Sequence, residues 1–200
     1  MANATALFGF RHIGFLSGGS PDFQMQPRAI QSTNTTKIGN GDPVLKNASA
    51  TGYIIQGTGA LATTTPVEGI FVGCQYTPAG QAPAWSPYWV GAAASDATGY
   101  IINAPNALFL VGTLQTALVT ANIGNAINFT TGTPNTTTGF SVALVDQATA
   151  TASGTTASLL PFKVVQLYQG IGNGSDPTSN NNWVVVTFNN QMFKTLASGA

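Results

Sequence analysis

Few side chains in this chain of 200 residues could carry chemistry: one histidine, one cysteine and six carboxylates. His12 follows Arg11 in a glycine-rich opening segment. A catalytic triad would have to bring its serine and aspartate from far away, and no Gly-x-Ser-x-Gly elbow is present. An irregular segment is a poor seat for a rigid base, so a hydrogen-bonded surface or interface role suits His12 better. The carboxylates Asp22, Asp42, Glu68, Asp96, Asp146 and Asp176 are scattered, and nothing selects two of them as a glycosidase pair. Asp42 and Asp176 each precede a proline, where aspartate commonly bonds the backbone of its own turn. Cys74 lies in the apolar run Ile70-Phe71-Val72-Gly73-Cys74 and reads as a small buried hydrophobe. As the sole cysteine it allows neither an intrachain disulfide nor a cysteine-based metal cluster. Gly57-Thr58-Gly59 and Gly172-Asn173-Gly174-Ser175 lack a following Lys-Ser/Thr and a helix, so they read as loop glycines rather than phosphate cradles. No cofactor is expected.

Aromatic side chains offer a different kind of site. Trp85, Tyr88 and Trp89 fall within one short segment, with Tyr76 nearby. Planar rings on a β surface can stack on sugars, which keeps a carbohydrate-binding module as an alternative. Core filling or contact with another subunit is the competing role, because Trp and Tyr are enriched at protein interfaces. Phe8, Phe10, Phe15 and Phe23 are interspersed with Gly9, Gly14, Gly18-Gly19 and Pro21, which break any helix or long strand. Residues 1–36 therefore read as an extended, irregular N-terminal arm whose aromatics either fold back on the body or clasp a neighbour. The clasp version expects that residues before about Thr36 can be removed with the β fold intact.

The elements that would position these groups are β-strands. Short β-branched and aromatic runs recur between Gly, Pro, Asn and Thr turns from residue 37 onward, as in Gly52–Gln56, Val67–Tyr76, Phe140–Val145, Pro161–Tyr168 and Trp183–Phe188. That pattern predicts an all-β body over 37–200, a barrel or a sandwich. Gly69 and Gly73 inside the longest run suggest a bulge or a tight bend, as at a barrel corner. Asn103-Ala104-Pro105-Asn106, between Tyr100–Ile102 and Ala107–Val111, reads as the turn of a hairpin. The Ala/Thr stretch 147–158 reads as a linker or long hairpin loop. Leu114–Ile123 is the best helix candidate, weakened by its Thr and Val residues.

Composition narrows the function classes. Only 6% of residues are charged, against about 25% in an average soluble domain, and the formal net charge is zero. No Lys or Arg neighbours another, so no basic patch exists for nucleic acid or anionic lipid. No apolar run approaches the ~20 residues of a membrane helix, and the first residues lack the features of a signal peptide. The expectation is synthesis in a cytoplasm. A neutral surface rich in Thr, Asn and Ser gives little colloidal repulsion, and burying it costs less than burying unpaired charge. Both properties suit a protein that packs into an assembly.

Several segments, in order, resemble a family of tailed-phage head proteins, the capsid decoration or cement proteins. They are Phe8-Gly9-Phe10-Arg11, Leu16-Ser17-Gly18-Gly19, Gly41-Asp42-Pro43-Val44, Glu68–Tyr76, Ser86-Pro87-Tyr88-Trp89, Ile123-Gly124-Asn125-Ala126, Thr136–Ser141 and the strand from Trp183. The most specific pair is the Glu68–Tyr76 run and the Ser-Pro-Tyr-Trp box. The chain is poorer in charge than the family pattern and carries longer Thr/Ala insertions. The resemblance implies a β-barrel body with an N-terminal arm, bound as a homotrimer to the major capsid protein on the virion exterior. It also implies production in the cytoplasm of a host bacterium, and neither nucleic acid nor membrane as partner. A tail or baseplate component is the near alternative. Phe8, Phe10, Arg11, Phe15, Trp85, Tyr88 and Trp89 are the candidate interface residues.

Overall fold

A computed structural model describes residues 3–22 and 24–194; Phe23, one of the aromatics of the opening segment, lies outside them. The described residues form strands β1 (Arg11–Phe15), β2 (Gln26–Ile30), β3 (Pro43–Lys46) and β4 (Ile54–Gln56), a one-turn helix α1 (Gly59–Ala62), then β5 (Val67–Tyr76), β6 (Ala84–Ser86), β7 (Ala97–Ile102) and β8 (Ala107–Gly112). A single 3-10 turn at Thr120–Asn122 leads to β9 (Ala126–Thr130), β10 (Leu144–Thr151), a short helix α2 (Thr155–Leu159), β11 (Phe162–Leu167) and β12 (Trp183–Phe188). They make two antiparallel sheets packed face to face, an all-β sandwich-like body. The first sheet runs β1-β8-β12-β11-β9-β10 and the second β2-β7-β5-β3-β4, with β6 added beside β5.

Each sheet curls until its far strands approach. Ala29 in β2 bridges Tyr53, just before β4, and Thr113, just after β8, bridges Val145 in β10. The curl gives sheet two a core on each of its faces. Leu45, Val67, Ile70 and Ile102 face sheet one and pack with Phe10, Phe109, Phe129, Phe162 and Phe188. Val44, Phe71, Cys74 and Ile101 face the other way and pack with Ile30, Ile38, Ile54 and Trp89. Burial on both sides explains why β5 reads as a continuous apolar run rather than an alternating one. Its register shifts between Phe71 and Gly73, and again opposite Val44 and Leu45. At Gly73 a Cβ would stand 2.5 Å from the Trp85 ring, so the glycine is what lets that indole lie on the strand.

Phe8, Phe10 and Phe15 take the fold-back course. β1 pairs with β8 and β2 with β7, so the segment 1–36 supplies a strand to each sheet. Phe10, 2% exposed, stacks on Phe162 at 4.4 Å and meets Phe109 and Phe129 edge-on. Removing everything before Thr36 would therefore open both sheets, and the expectation of an intact β fold after that deletion is corrected. Three further readings change. Asn103–Asn106 is not a hairpin turn: it carries the chain from β7 in one sheet to β8 in the other. Turn residues dictate where the chain reverses but not which strand it pairs with next. The Ala/Thr stretch 147–158 continues β10 to Thr151 and then forms α2, since β-branched threonines fit a pleated strand as readily as a loop. Leu114–Ile123 contributes only the 3-10 turn; Leu118 is buried because the Asn182 side chain binds its backbone N–H at 3.0 Å and its carbonyl at 2.7 Å.

Candidate interaction surface

His12, Cys74 and the carboxylates are spent on architecture. His12 lies against the rings of Phe15 and Phe109, at 5.0 and 5.6 Å, with Nε2 3.0 Å from the Gly14 carbonyl oxygen. Burial lowers its pKa, opposed by that carbonyl and by Asp22. Asp176 accepts from the Thr178 N–H and hydroxyl and from Ser179, which hold its pKa down at about 2. Asp96 accepts from the Tyr53 hydroxyl and the Ser32 N–H. Cys74 is buried, its thiol pushed up to about 12 by desolvation. Among the described residues no three His, Cys, Asp or Glu side chains gather where they could hold a metal ion. No helix among them is long and apolar enough to cross a membrane.

Asp42 is the exception in depth. It is wholly buried and accepts from the Ser141 hydroxyl, the Gly39 N–H at 2.6 Å and Gln56 Nε2 at 2.8 Å. Desolvation pushes its pKa up to about 6 against the pull of those three donors. The same node holds the opening segment: the Phe10 N–H donates to the Gly41 carbonyl, and Arg11 donates to Asn40 Oδ1. Gly9, at φ +67°, has Ser141 Cβ 2.5 Å from where its own Cβ would be, so the two segments approach so closely only because it is glycine.

The seven candidate interface residues divide into three groups. Phe10 and Trp89 are core, 2% and 0% exposed, and a side chain enclosed by its own chain cannot touch a partner; for these two the interface assignment is corrected. The Trp89 indole N–H is spent on the Asn34 carbonyl. Phe8, Arg11, Phe15 and Tyr88 are half-buried. Phe8 packs edge-on against Trp183 at 5.1 Å, and the Arg11 guanidinium lies 4.1 Å over the Phe140 ring. Trp85 alone stands out, 55% exposed on β6, its ring tilted beside Tyr100 at 5.3 Å.

No family model, curated protein or solved structure matches the chain.

The exposed apolar groups that sequence reasoning passed over lie elsewhere. Leu7, Ile13 and Leu16 are large, exposed, and follow one another along the segment containing β1, the end strand of its sheet. Phe193, after β12, is 58% exposed and walls a cavity of about 220 Å³. Its other walls include Arg28, Lys46, Tyr53, Ile54, Glu68 and Met192. Arg28 Nε lies 2.5 Å from Glu68 Oε1, a pair formed across forty positions of sequence. The one local clue to it is an acidic residue opening an apolar strand, since a buried carboxylate needs a partner.

Proposed function

We propose that this chain is a structural virion protein, a capsid decoration or cement protein that binds the outside of the expanded major-capsid lattice as a homotrimer and stabilises the head. The observation that carries the reading is the kind of surface the body presents. It is nearly devoid of charge, yet Leu7, Ile13, Leu16 and Trp85 remain outside a core that is already complete. Covering such a surface costs little charge desolvation and returns about 25 cal/mol for each Å² of apolar area. A specific contact needs only about 800 Å² per partner. Subunits tied both to one another and to a lattice gain effective concentration, so each contact can be modest. Binding the expanded state and not the disrupted one stabilises the shell by mass action. The segment resemblance points the same way.

Quantitative mass spectrometry of purified particles tests this. A copy number near that of the main shell protein is the expected result. A handful of copies would move the chain to the tail or baseplate, and absence from particles overturns the proposal. The exposed Trp85 beside Tyr100 favours one other reading, a carbohydrate-binding surface. Its mark would be a glycan-array signal lost in Trp85→Ala.

A further inference from the structure

The cavity walled by Phe193 is the mouth of the curled second sheet. Arg28 in β2 and Lys46 in β3 lie two positions along from Ile30 and Val44 of the second core, hence on the same faces of their strands. Ile54, at the base, is itself part of that core. Mouths of curled sheets and barrels are recurrent ligand sites. One wall is apolar, formed by Ile54, Met192 and Phe193, and the other polar, formed by Arg28, Lys46, Glu68 and Tyr53.

Size and charge decide what would fit. Pockets for whole small molecules usually measure about 300–1,000 Å³, so about 220 Å³ matches one inserted side chain better than a free ligand. The Arg28–Glu68 pair is internally neutral, with Glu68 almost fully enclosed. Lys46 is exposed, and its side chain holds no hydrogen bond or ion pair among the described residues, so its ammonium is open to a partner's carboxylate.

We infer that this mouth is a docking pocket for an apolar side chain flanked by acidic residues on a partner protein. The apolar group enters against Met192 and Phe193 while a neighbouring carboxylate meets Lys46. The inference rests on the reading of the chain as a docking protein and names the chemistry of the partner segment.

Two arms test it on the full chain. In the first, methyl resonances of Ile54 and Met192 are followed by NMR as acetyl-Gly-Asp-Phe-Glu-Gly-amide is added, with acetyl-Gly-Lys-Phe-Lys-Gly-amide as control. The acidic peptide should shift both methyls, and the basic one should bind at least tenfold more weakly. Lys46→Glu should weaken the acidic peptide at least tenfold, with Lys46→Arg restoring it. No shift, equal shifts from the two peptides, or indifference to Lys46→Glu overturns the pocket. In the second arm, wild type, Lys46→Glu and Phe193→Ala are cosedimented with particles prepared without this chain. Wild-type binding with at least tenfold loss in both variants is expected. Binding retained in both overturns the pocket and leaves the decoration reading standing. Failure of the wild type to bind overturns the decoration reading, whatever the peptides show.

Discussion

Replacing Phe10 by alanine tests whether the opening segment belongs to its own subunit. The ring is enclosed by Phe109, Phe129 and Phe162, one of them stacked and two edge-on. Truncating a buried Phe costs about 3–5 kcal/mol, the upper half applying where the surroundings cannot collapse. Collapse is restricted here, because the backbone on either side is fixed by the Phe10–Gly41 hydrogen bond and by the Gly9 contact with Ser141. The expected loss is therefore about 4 kcal/mol. With a urea m-value of about 2–3 kcal/mol/M, the midpoint should fall by about 1.5 M. In a thermal scan the same loss is worth about 8–16 °C for a chain of this size. Phe8→Ala, half-buried against Trp183 alone, should cost clearly less. If the rings instead belonged to a neighbouring subunit, the wild-type midpoint would rise with protein concentration. A loss below about 1 kcal/mol would refute the fold-back account.

Two other outcomes follow from buried groups. The Asp42 carboxyl has its pKa raised from 3.8 to about 6, so between those values the native state binds more protons than the unfolded chain. Stability from this group is complete below about pH 4 and falls as pH rises through 6, by at most about 3 kcal/mol; Asp176, at about 2, acts in the opposite direction only below pH 4. Asp42→Asn should flatten the pH 4–6 slope of urea midpoints, whereas Asp42→Ala, which strands three donors, should cost about 3 kcal/mol or more below pH 4 and less as pH rises through 6. Cys74, buried with its thiol near 12, should resist a disulfide reagent at pH 8 in the native protein and react at once in urea, so prompt native reaction would count against the second core.

The β class was legible because strand chemistry is local: short β-branched runs bounded by Gly, Pro and Asn read the same in sequence and in space. Gly69 and Gly73 marked the break in that strand, as a bulge or a bend, for the same reason, and the register shifts beside both. Partner choice was not. Asn103–Asn106 looks like a hairpin turn from inside, and only the pairing of β7 with β2 and β5, and of β8 with β1 and β12, shows that the chain has changed sheets. Phe10 escaped because its burial depends on Gly9, Gly41 and Ser141, which meet from three distant segments and leave no period behind. Trp85 and Trp89 are four positions apart and alike in chemistry. The Trp89 indole finds the Asn34 carbonyl inside, while Trp85 rests on Gly73 at the surface. The Arg28–Glu68 mouth was illegible for a plainer reason: two lone charges forty positions apart have no spacing to read.

The curl of the sheets bears on why so few charges suffice. Sheet edges invite pairing with other chains, and proteins commonly blunt them with lysine or proline. Here Ala29–Tyr53 and Thr113–Val145 bring strand to strand and leave less edge to defend. β1 remains at the end of its sheet, and its one formal cation, Arg11, is turned onto the Phe140 ring and Asn40. The groups left facing outward along that stretch are Leu7, Ile13 and Leu16. For a chain working alone this is an aggregation hazard without a guard. For one that spends its working life against other subunits, a guard there would have to be desolvated each time the contact formed. The absence of lysine along that edge therefore favours the assembled role on energetic grounds, independently of any sequence resemblance.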